Sequence, residues 1–132
     1  MIVLDSSAIV AMLLAEDEEL AFSKVLGSKR ALVGAPTLVE TRMVLDARLS
    51  AAGDTLNDFL RDGGITIVPF DAAMFAAAAE AFTRYGQGRH RARLNFGDCL
   101  SDAVASVMRL PLLFKGDDFV HTDIVPACSP AP

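Results

Sequence analysis

The chain has 132 residues, of which 52% are hydrophobic and 22% are charged, and its formal net charge is -5. This length fits one domain that needs no disulfide or structural metal, and the hydrophobic fraction excludes a disordered chain. No apolar run reaches the roughly 18 residues of a transmembrane helix, and the apolar start lacks the basic residues of a signal peptide. We expect no membrane association. The two cysteines match no zinc or disulfide spacing, which predicts a reducing, cytoplasmic location.

Short apolar runs alternate with longer segments of helical periodicity. The apolar runs predict strands at 2–4, 31–33, 65–68 and 112–114. The segments between them predict helices at 8–14, 18–26, 36–50, 52–61, 72–85 and 96–109. This alternation predicts a single α/β domain over residues 1–132, with a loose tail from about residue 126. The expected architecture is a three-layer α/β/α sandwich with a mainly parallel sheet of four or five strands.

Acidic residues occupy positions where the predicted fold brings chain segments together. Asp5 directly follows the first strand, and Asp117 and Asp118 follow the last one. Glu40 lies one turn into the third helix, and Asp98 is the third residue of the last helix. Ligands of parallel sheets bind outside the carboxyl ends of the strands, so these acids are candidates for one shared site.

Each acid also has a purely structural interpretation. Asp5 and Asp98 can cap helices, with Asn95 and Asp71 as further predicted caps. Glu40 can be a first-turn acid that the helix dipole favours, and the acids at 117–118 can be an exposed turn. These alternatives stay open for each residue taken alone.

The combination of acids points to a bound cation. Two carboxylates about 4 Å apart repel by ~4 kcal/mol at an effective dielectric constant near 20, so a converged cluster needs positive charge. Oxygen ligands without Cys or His favour Mg²⁺ or Mn²⁺ over zinc. Such a site is typical of enzymes that hydrolyse phosphodiester bonds with a metal-activated water.

A basic segment precedes Asp98 in this acidic chain. Residues 81–97 contain no acid, and Arg89, Arg91 and Arg93 lie among them. Although the net charge of the whole chain repels nucleic acid, arginines beside a metal site can bind the phosphates that flank a scissile bond. The alternative is a solvated loop.

Four blocks of the sequence resemble a known family. They are IVLDSSAIVAMLL at 2–14, APTLVE at 35–40, LNFGDCLSDAVA at 94–105 and LLFKGDDFVHTDI at 112–124. In their order and spacing they resemble the PIN-domain ribonucleases, and more closely the VapC toxins of bacterial type II toxin–antitoxin pairs. The resemblance extends from Met1 to about Val125.

The resemblance implies roles for individual acids. Asp5, Glu40 and Asp98 match the first three acids of the PIN metal site, with catalytic and metal-binding roles. Asp117 is the choice for the fourth acid, at a position where the family varies.

Three further residues are expected to support the site. Ser7 matches the small hydroxyl residue that supports the first carboxylate. Asp118 matches a steadier acid that can instead be a turn cap. Asp102 departs from the family pattern, in which an aromatic residue is more usual, so it either tunes the metal site or faces water.

The family implies an activity and partners. It implies an endoribonuclease, dependent on Mg²⁺ or Mn²⁺, that cleaves structured RNA such as tRNA or ribosomal RNA. It also implies a homodimer and a small VapB-type antitoxin that blocks the site.

Two other functions remain as alternatives. Receiver domains of two-component signalling use an acid after strand one, an acceptor Asp and a late Lys, which Asp5, Asp71 and Lys115 could imitate. Receivers carry two adjacent acids after strand one, whereas Asp5 is followed by two serines. The other alternative is a PIN fold that binds RNA or a partner without cutting it, against which the retention of all the acids argues.

Overall fold

Four short parallel strands form the sheet of the computed structural model, which describes residues 1–128. The elements in chain order are β1 (Ile2–Leu4), α1 (Ser6–Leu13), α2 (Glu19–Ser28), β2 (Ala31–Gly34), α3 (Ala35–Asp46), α4 (Ala52–Asp62), β3 (Thr66–Val68), α5 (Ala72–Tyr85), α6 (Phe96–Met108), β4 (Leu112–Leu113) and a 3₁₀ helix (Asp118–His121). The strands lie in the order β3-β2-β1-β4, which places β1 and β2 in the middle of the sheet.

Helices cover both faces of this sheet. Ile2 and Leu4 of β1 pack into a buried cluster with residues of α1 to α4, whereas Val3 packs into a second cluster with residues of α5 and α6. This alternation follows from the two-residue period of a strand. The predicted α/β/α sandwich with a parallel sheet is confirmed, and the sheet has four strands within the described residues.

Three elements differ from the sequence-based predictions. Helix α2 continues through Gly27 to Ser28, because a glycine that keeps a right-handed backbone only weakens a helix. Helix α3 ends at Asp46, four residues early, in a turn closed by the bond from Leu49 N–H to Leu45 O. The apolar run of β3 predicts a buried strand, but as an edge strand it leaves Ile67 50% exposed.

The C-terminal segment runs beside β4. Leu112 N–H donates to Val125 O at 2.9 Å, and Ala127 N–H donates to Leu112 O at 2.8 Å. Within the predicted loose tail, the backbone of Ala127 is therefore hydrogen-bonded to β4. Residues 129–132 of that predicted tail lie outside the described residues.

The fold brings three segments to one edge of the sheet. The carboxyl ends of β1 and β4 lie side by side, since Asp5 N–H donates to Leu113 O. Helix α6 packs against α3, β1 and β2, which brings its first turn to the same edge. Within residues 1–128, no helix has the length and apolar character needed to span a membrane.

Candidate active site

Asp5 lies at the carboxyl end of β1 and is only 4% exposed. Its Oδ2 accepts hydrogen bonds from the Ser7 backbone N–H at 3.1 Å and from Ser7 Oγ at 2.5 Å. Its Oδ1 accepts from Ser101 Oγ of α6, also at 2.5 Å. These donors offset the cost of burying a carboxylate. Asp5 therefore caps α1, as its structural interpretation held, and also lies at the edge where the site was predicted.

The Glu40 carboxylate lies directly on the first turn of α6. A Cβ added at Gly97 would lie 2.7 Å from Glu40 Cδ and 2.8 Å from Oε1. Glu40 Oε1 is buried and has no hydrogen-bond partner among residues 1–128. A buried carboxylate oxygen without a donor is costly, so this position fits a residue whose partner is a bound cation.

Asp98 forms a capping box with Asn95. Its Oδ2 accepts from Asn95 N–H at 3.1 Å, while Asn95 Oδ1 accepts from Asp98 N–H at 2.9 Å. Burial raises the pKa of Asp98 from 3.8 to about 7; the Asn95 hydrogen bond opposes this shift, and Asp118 and then Asp5 add to it. The carboxylates of Asp118 and Asp5 are therefore near enough to Asp98 to raise its pKa. Asp98 also forms the capping box of α6.

Asp118 lies near enough to Asp98 to raise the pKa of the Asp98 carboxyl. Asp117 and Asp118 are both exposed and border the same surface depression, and Asp117 precedes the 3₁₀ helix without a side-chain cap. The choice of Asp117 as the fourth acid therefore stays a prediction, with Asp118 as a second candidate for that place.

Asp102 is buried rather than facing water, and its predicted role in supporting the metal site stays a prediction. It is 4% exposed, its Oδ1 accepts from Ser106 Oγ at 3.1 Å, and its Oδ2 lacks a partner in the described part of the chain. Burial raises its pKa to about 6; the Ser106 bond and Arg84 lower it, whereas Asp123 raises it.

The arginine segment divides into two parts. Arg91 and Arg93 border a depression of about 290 Å³ together with Asp117 and Asp118. Arg89 instead lies over the ring of Phe82 on α5, 5.2 Å from its centroid. The structure therefore brings two of the three predicted RNA-binding arginines to the acidic edge.

Two residues of the receiver alternative have structural partners. Asp71 caps α5 by accepting from Met74 N–H at 2.9 Å. The Lys115 ammonium binds Glu16 at 3.1 Å and Glu18 at 3.3 Å. These contacts favour a structural interpretation of Asp71 and Lys115 over a receiver site.

The chemistry of the donor set fits a hard divalent cation. The candidates at this edge are carboxylates, Glu40 Oε1 is a buried oxygen without a donor, and Asp98 is close to two like charges. As the side chains stand, no three Asp, Glu, His or Cys residues within 1–128 form a group that could hold a metal ion.

Sequence reasoning missed Gly97, Ser101 and Thr37. Ser101 donates to Asp5, and its Oγ lies 3.5 Å from Thr37 Oγ1. A helical signal existed for Ser101, since a residue three positions after Asp98 shares its face. A glycine in the first turn of an apolar helix was the corresponding signal for Gly97.

Comparison with known proteins gives concordant matches. The model of the PIN domain family matches residues 2–125. Ribonuclease VapC30 of Mycobacterium tuberculosis strain H37Rv is 39% identical over 130 residues, which cover 97% of this chain and 99% of that protein. These two matches extend over nearly the whole chain.

Two solved structures share the fold. The sarcin-ricin loop cleaving toxin VapC20 of M. tuberculosis has a TM-score of 0.77 at 18% identity, over 98% of this chain and 100% of that one. A toxin–antitoxin complex from Klebsiella pneumoniae matches with a TM-score of 0.71 at 13% identity, over 96% of this chain and 98% of that one.

Proposed function

The chain belongs to the PIN-domain family and, within it, to the VapC ribonucleases, and we propose that it is the toxin of a type II toxin–antitoxin pair. Its activity is the endonucleolytic hydrolysis of structured RNA, tRNA or ribosomal RNA. Four acids support this proposal: the Glu40 carboxylate lies against Gly97, next to Asp98 in sequence, and both Asp118 and Asp5 are near enough to Asp98 to raise its pKa.

These four acids are the proposed ligands of a divalent cation. Nucleases of this family depend on divalent metals, and the all-oxygen donor set favours Mg²⁺, with Mn²⁺ as a substitute. When bound, such an ion activates water for attack on a phosphodiester and stabilises the leaving oxygen. Asp117 then lies at the rim of the site, in the depression that it shares with the proposed RNA-binding residues Arg91 and Arg93.

The other residues of the chain orient the site and the substrate. Ser7 and Ser101 hold the Asp5 carboxylate, and the capping box holds Asp98. Arg91 and Arg93 bind the phosphates on either side of the scissile bond, since guanidinium groups bind phosphate in a bidentate manner. In-line attack by an activated water does not require a histidine base.

The proposed partners follow from the family and its complexes. The K. pneumoniae relative of this fold was solved as a toxin–antitoxin complex, and we extend this to a VapB-type antitoxin that blocks the acidic edge. A homodimer of single-domain chains and a cytoplasmic location, where tRNA and ribosomes are found, complete the proposal.

The decisive experiment is a cleavage assay on total tRNA and ribosomal RNA. We expect discrete fragments in Mg²⁺ or Mn²⁺, none in EDTA, and restoration when excess metal is added back. Asp98→Asn protein should remain folded but inactive. Cleavage that persists in EDTA and in this variant would contradict metal-dependent hydrolysis, and tight RNA binding without any cleavage would favour a non-cutting module.

A further inference from the structure

A pair of hydroxyl groups from two different helices holds the Asp5 carboxylate. Ser7, in the first turn of α1, donates to Oδ2, and Ser101, in the second turn of α6, donates to Oδ1. Asp5 and Ser101 are separated by 96 positions in sequence, and Ser101 is only 1% exposed. The carboxylate is thus held from both sides, and its rotation about the Cβ–Cγ bond would break at least one of these bonds.

The direction of the Ser101 bond is unambiguous. A hydroxyl has one proton, and an ionised carboxylate can only accept, so the Ser101 proton lies toward Asp5. The Ser101 oxygen can then accept from Thr37 Oγ1, which lies 3.5 Å away and is buried as well. The Thr41 hydroxyl donates to the backbone carbonyl of Thr37 at 2.8 Å, a bond within α3 that does not involve the Thr37 hydroxyl. One hydroxyl of α3, that of Thr37, therefore supports the hydroxyl of Ser101, which supports Asp5.

The opposite side is anchored to the turn after β4. Ser7 Oγ accepts from Lys115 N–H at 3.0 Å while it donates to Asp5. The same turn leads to Asp118, which neighbours Asp98. The orientation of Asp5 is thereby connected to the segment that carries another proposed metal ligand.

We propose that Ser101 is a positioning residue, which fixes the Asp5 carboxylate in the orientation that a divalent cation requires, with Thr37 supporting it from behind. This inference rests on the proposed role of Asp5 as a metal ligand. Ser101 acts through Asp5 and needs no contact with RNA. If its hydroxyl were removed, Asp5 Oδ1 would be left without its donor in a buried site, and the carboxylate would turn to find another one.

The test measures binding of Mn²⁺ alone, by calorimetry or electron paramagnetic resonance, in the full chain without RNA. Ser101→Ala is expected to weaken Mn²⁺ binding about tenfold, the usual effect of removing a group that orients a metal ligand. Ser106→Ala is the matched control, because it removes another hydroxyl–carboxylate bond from α6, the bond to Asp102. It should leave Mn²⁺ affinity unchanged.

If Ser101→Ala fails to fold, a second pair of variants tests the same interaction from the side of Thr37. Thr37→Val keeps the shape of the side chain but removes its hydroxyl, and Thr37→Ser keeps the hydroxyl. Mn²⁺ should bind more weakly to Thr37→Val than to Thr37→Ser. The melting temperature without metal is recorded for every variant, because a merely structural role would lower it and leave the Mn²⁺ affinity unchanged.

The outcomes separate this inference from the proposed function. If the wild-type chain binds Mn²⁺ no better than Asp98→Asn, the proposed metal site itself is wrong. If the wild type binds Mn²⁺ and Ser101→Ala binds it equally well, only the role of Ser101 is overturned. Equal affinities of Thr37→Val and Thr37→Ser would remove the supporting role of Thr37.

Discussion

The Glu40 carboxylate lies against the Cα of Gly97, so close that a Cβ on Gly97 would come within 2.7 Å of Glu40 Cδ. An ordinary side chain at position 97 would therefore displace Glu40 or push α6 away from α3. Because Gly97 has no side chain, Glu40, a proposed metal ligand, can lie against the first turn of α6.

Gly97→Ala should therefore abolish or strongly reduce RNA cleavage. The matched control is Gly27→Ala, since Gly27 is also helical but has open space around its Cβ position. Gly27→Ala should stabilise the fold by roughly 0.5–1 kcal/mol, because alanine favours helix, and should leave cleavage unchanged. Thermal unfolding and an RNA cleavage assay check both variants. Full activity of Gly97→Ala would show that Glu40 needs no fixed position.

Asp98→Asn should lower cleavage by orders of magnitude and leave the chain folded. An asparagine oxygen can still accept the Asn95 N–H bond, so the capping box survives, while repulsion from Asp118 and Asp5 is relieved. The melting temperature without metal should be equal to or above that of the wild type. Asp71→Asn, a similar change at the cap of α5, provides the control and should cleave normally. A large loss of stability in Asp98→Asn would favour a purely structural role.

Asp118→Asn should impair cleavage far more than Asp117→Asn. Both residues are exposed, but Asp118 is the one of the two that raises the pKa of Asp98. Single-turnover cleavage rates at saturating Mg²⁺ compare the two variants directly. The reverse ranking would restore Asp117 as the fourth acid.

Arg91→Ala combined with Arg93→Ala should weaken RNA binding and flatten its dependence on salt, by about one unit of slope for each phosphate that an arginine no longer binds. Arg89→Ala should have a smaller effect, because Arg89 lies over Phe82 rather than beside the acids. The affinity for RNA is measured without divalent metal at about four salt concentrations between roughly 50 and 300 mM. Unchanged RNA affinity of the double variant at low salt would mean that this segment is only a solvated loop.

Asp102 should make the stability of the fold depend on pH. Its pKa is raised from 3.8 to about 6, chiefly by burial, so the folded chain favours the protonated form. The contribution of this group is complete below about pH 4 and is lost as the pH rises through 6. Asp102→Asn keeps an acceptor for Ser106 and should be more stable than the wild type at pH 7, by up to about 3 kcal/mol, but not at pH 4. The free energy of unfolding of both proteins is measured from pH 4 to pH 7. If it changed with pH in the same way for the wild type and for Asp102→Asn, the raised pKa of Asp102 would be contradicted.

Local sequence patterns were sufficient for the elements and for part of the site. Strand β1, helix α5 and the caps Asp71 and Asn95 could be predicted, because apolar periodicity and side-chain capping depend on residues a few positions apart. The position of Asp5 at the edge of the sheet followed from its place directly after an apolar strand. The general rule for parallel sheets then indicated where a ligand would bind.

The tertiary structure alone decided which side chains face one another. The bond from Ser101 to Asp5 spans 96 positions, and the close approach of Glu40 to Gly97 joins two helices, so no local pattern specifies either of them. The turn that carries Asp117 and Asp118 is likewise attached to a distant segment, by the bond from Lys115 N–H to Ser7 Oγ. Sequence determines which residues can form such a site, whereas the packing of α3 and α6 on the sheet determines which of them meet, because orientation within a turn or on a helix depends on distant contacts.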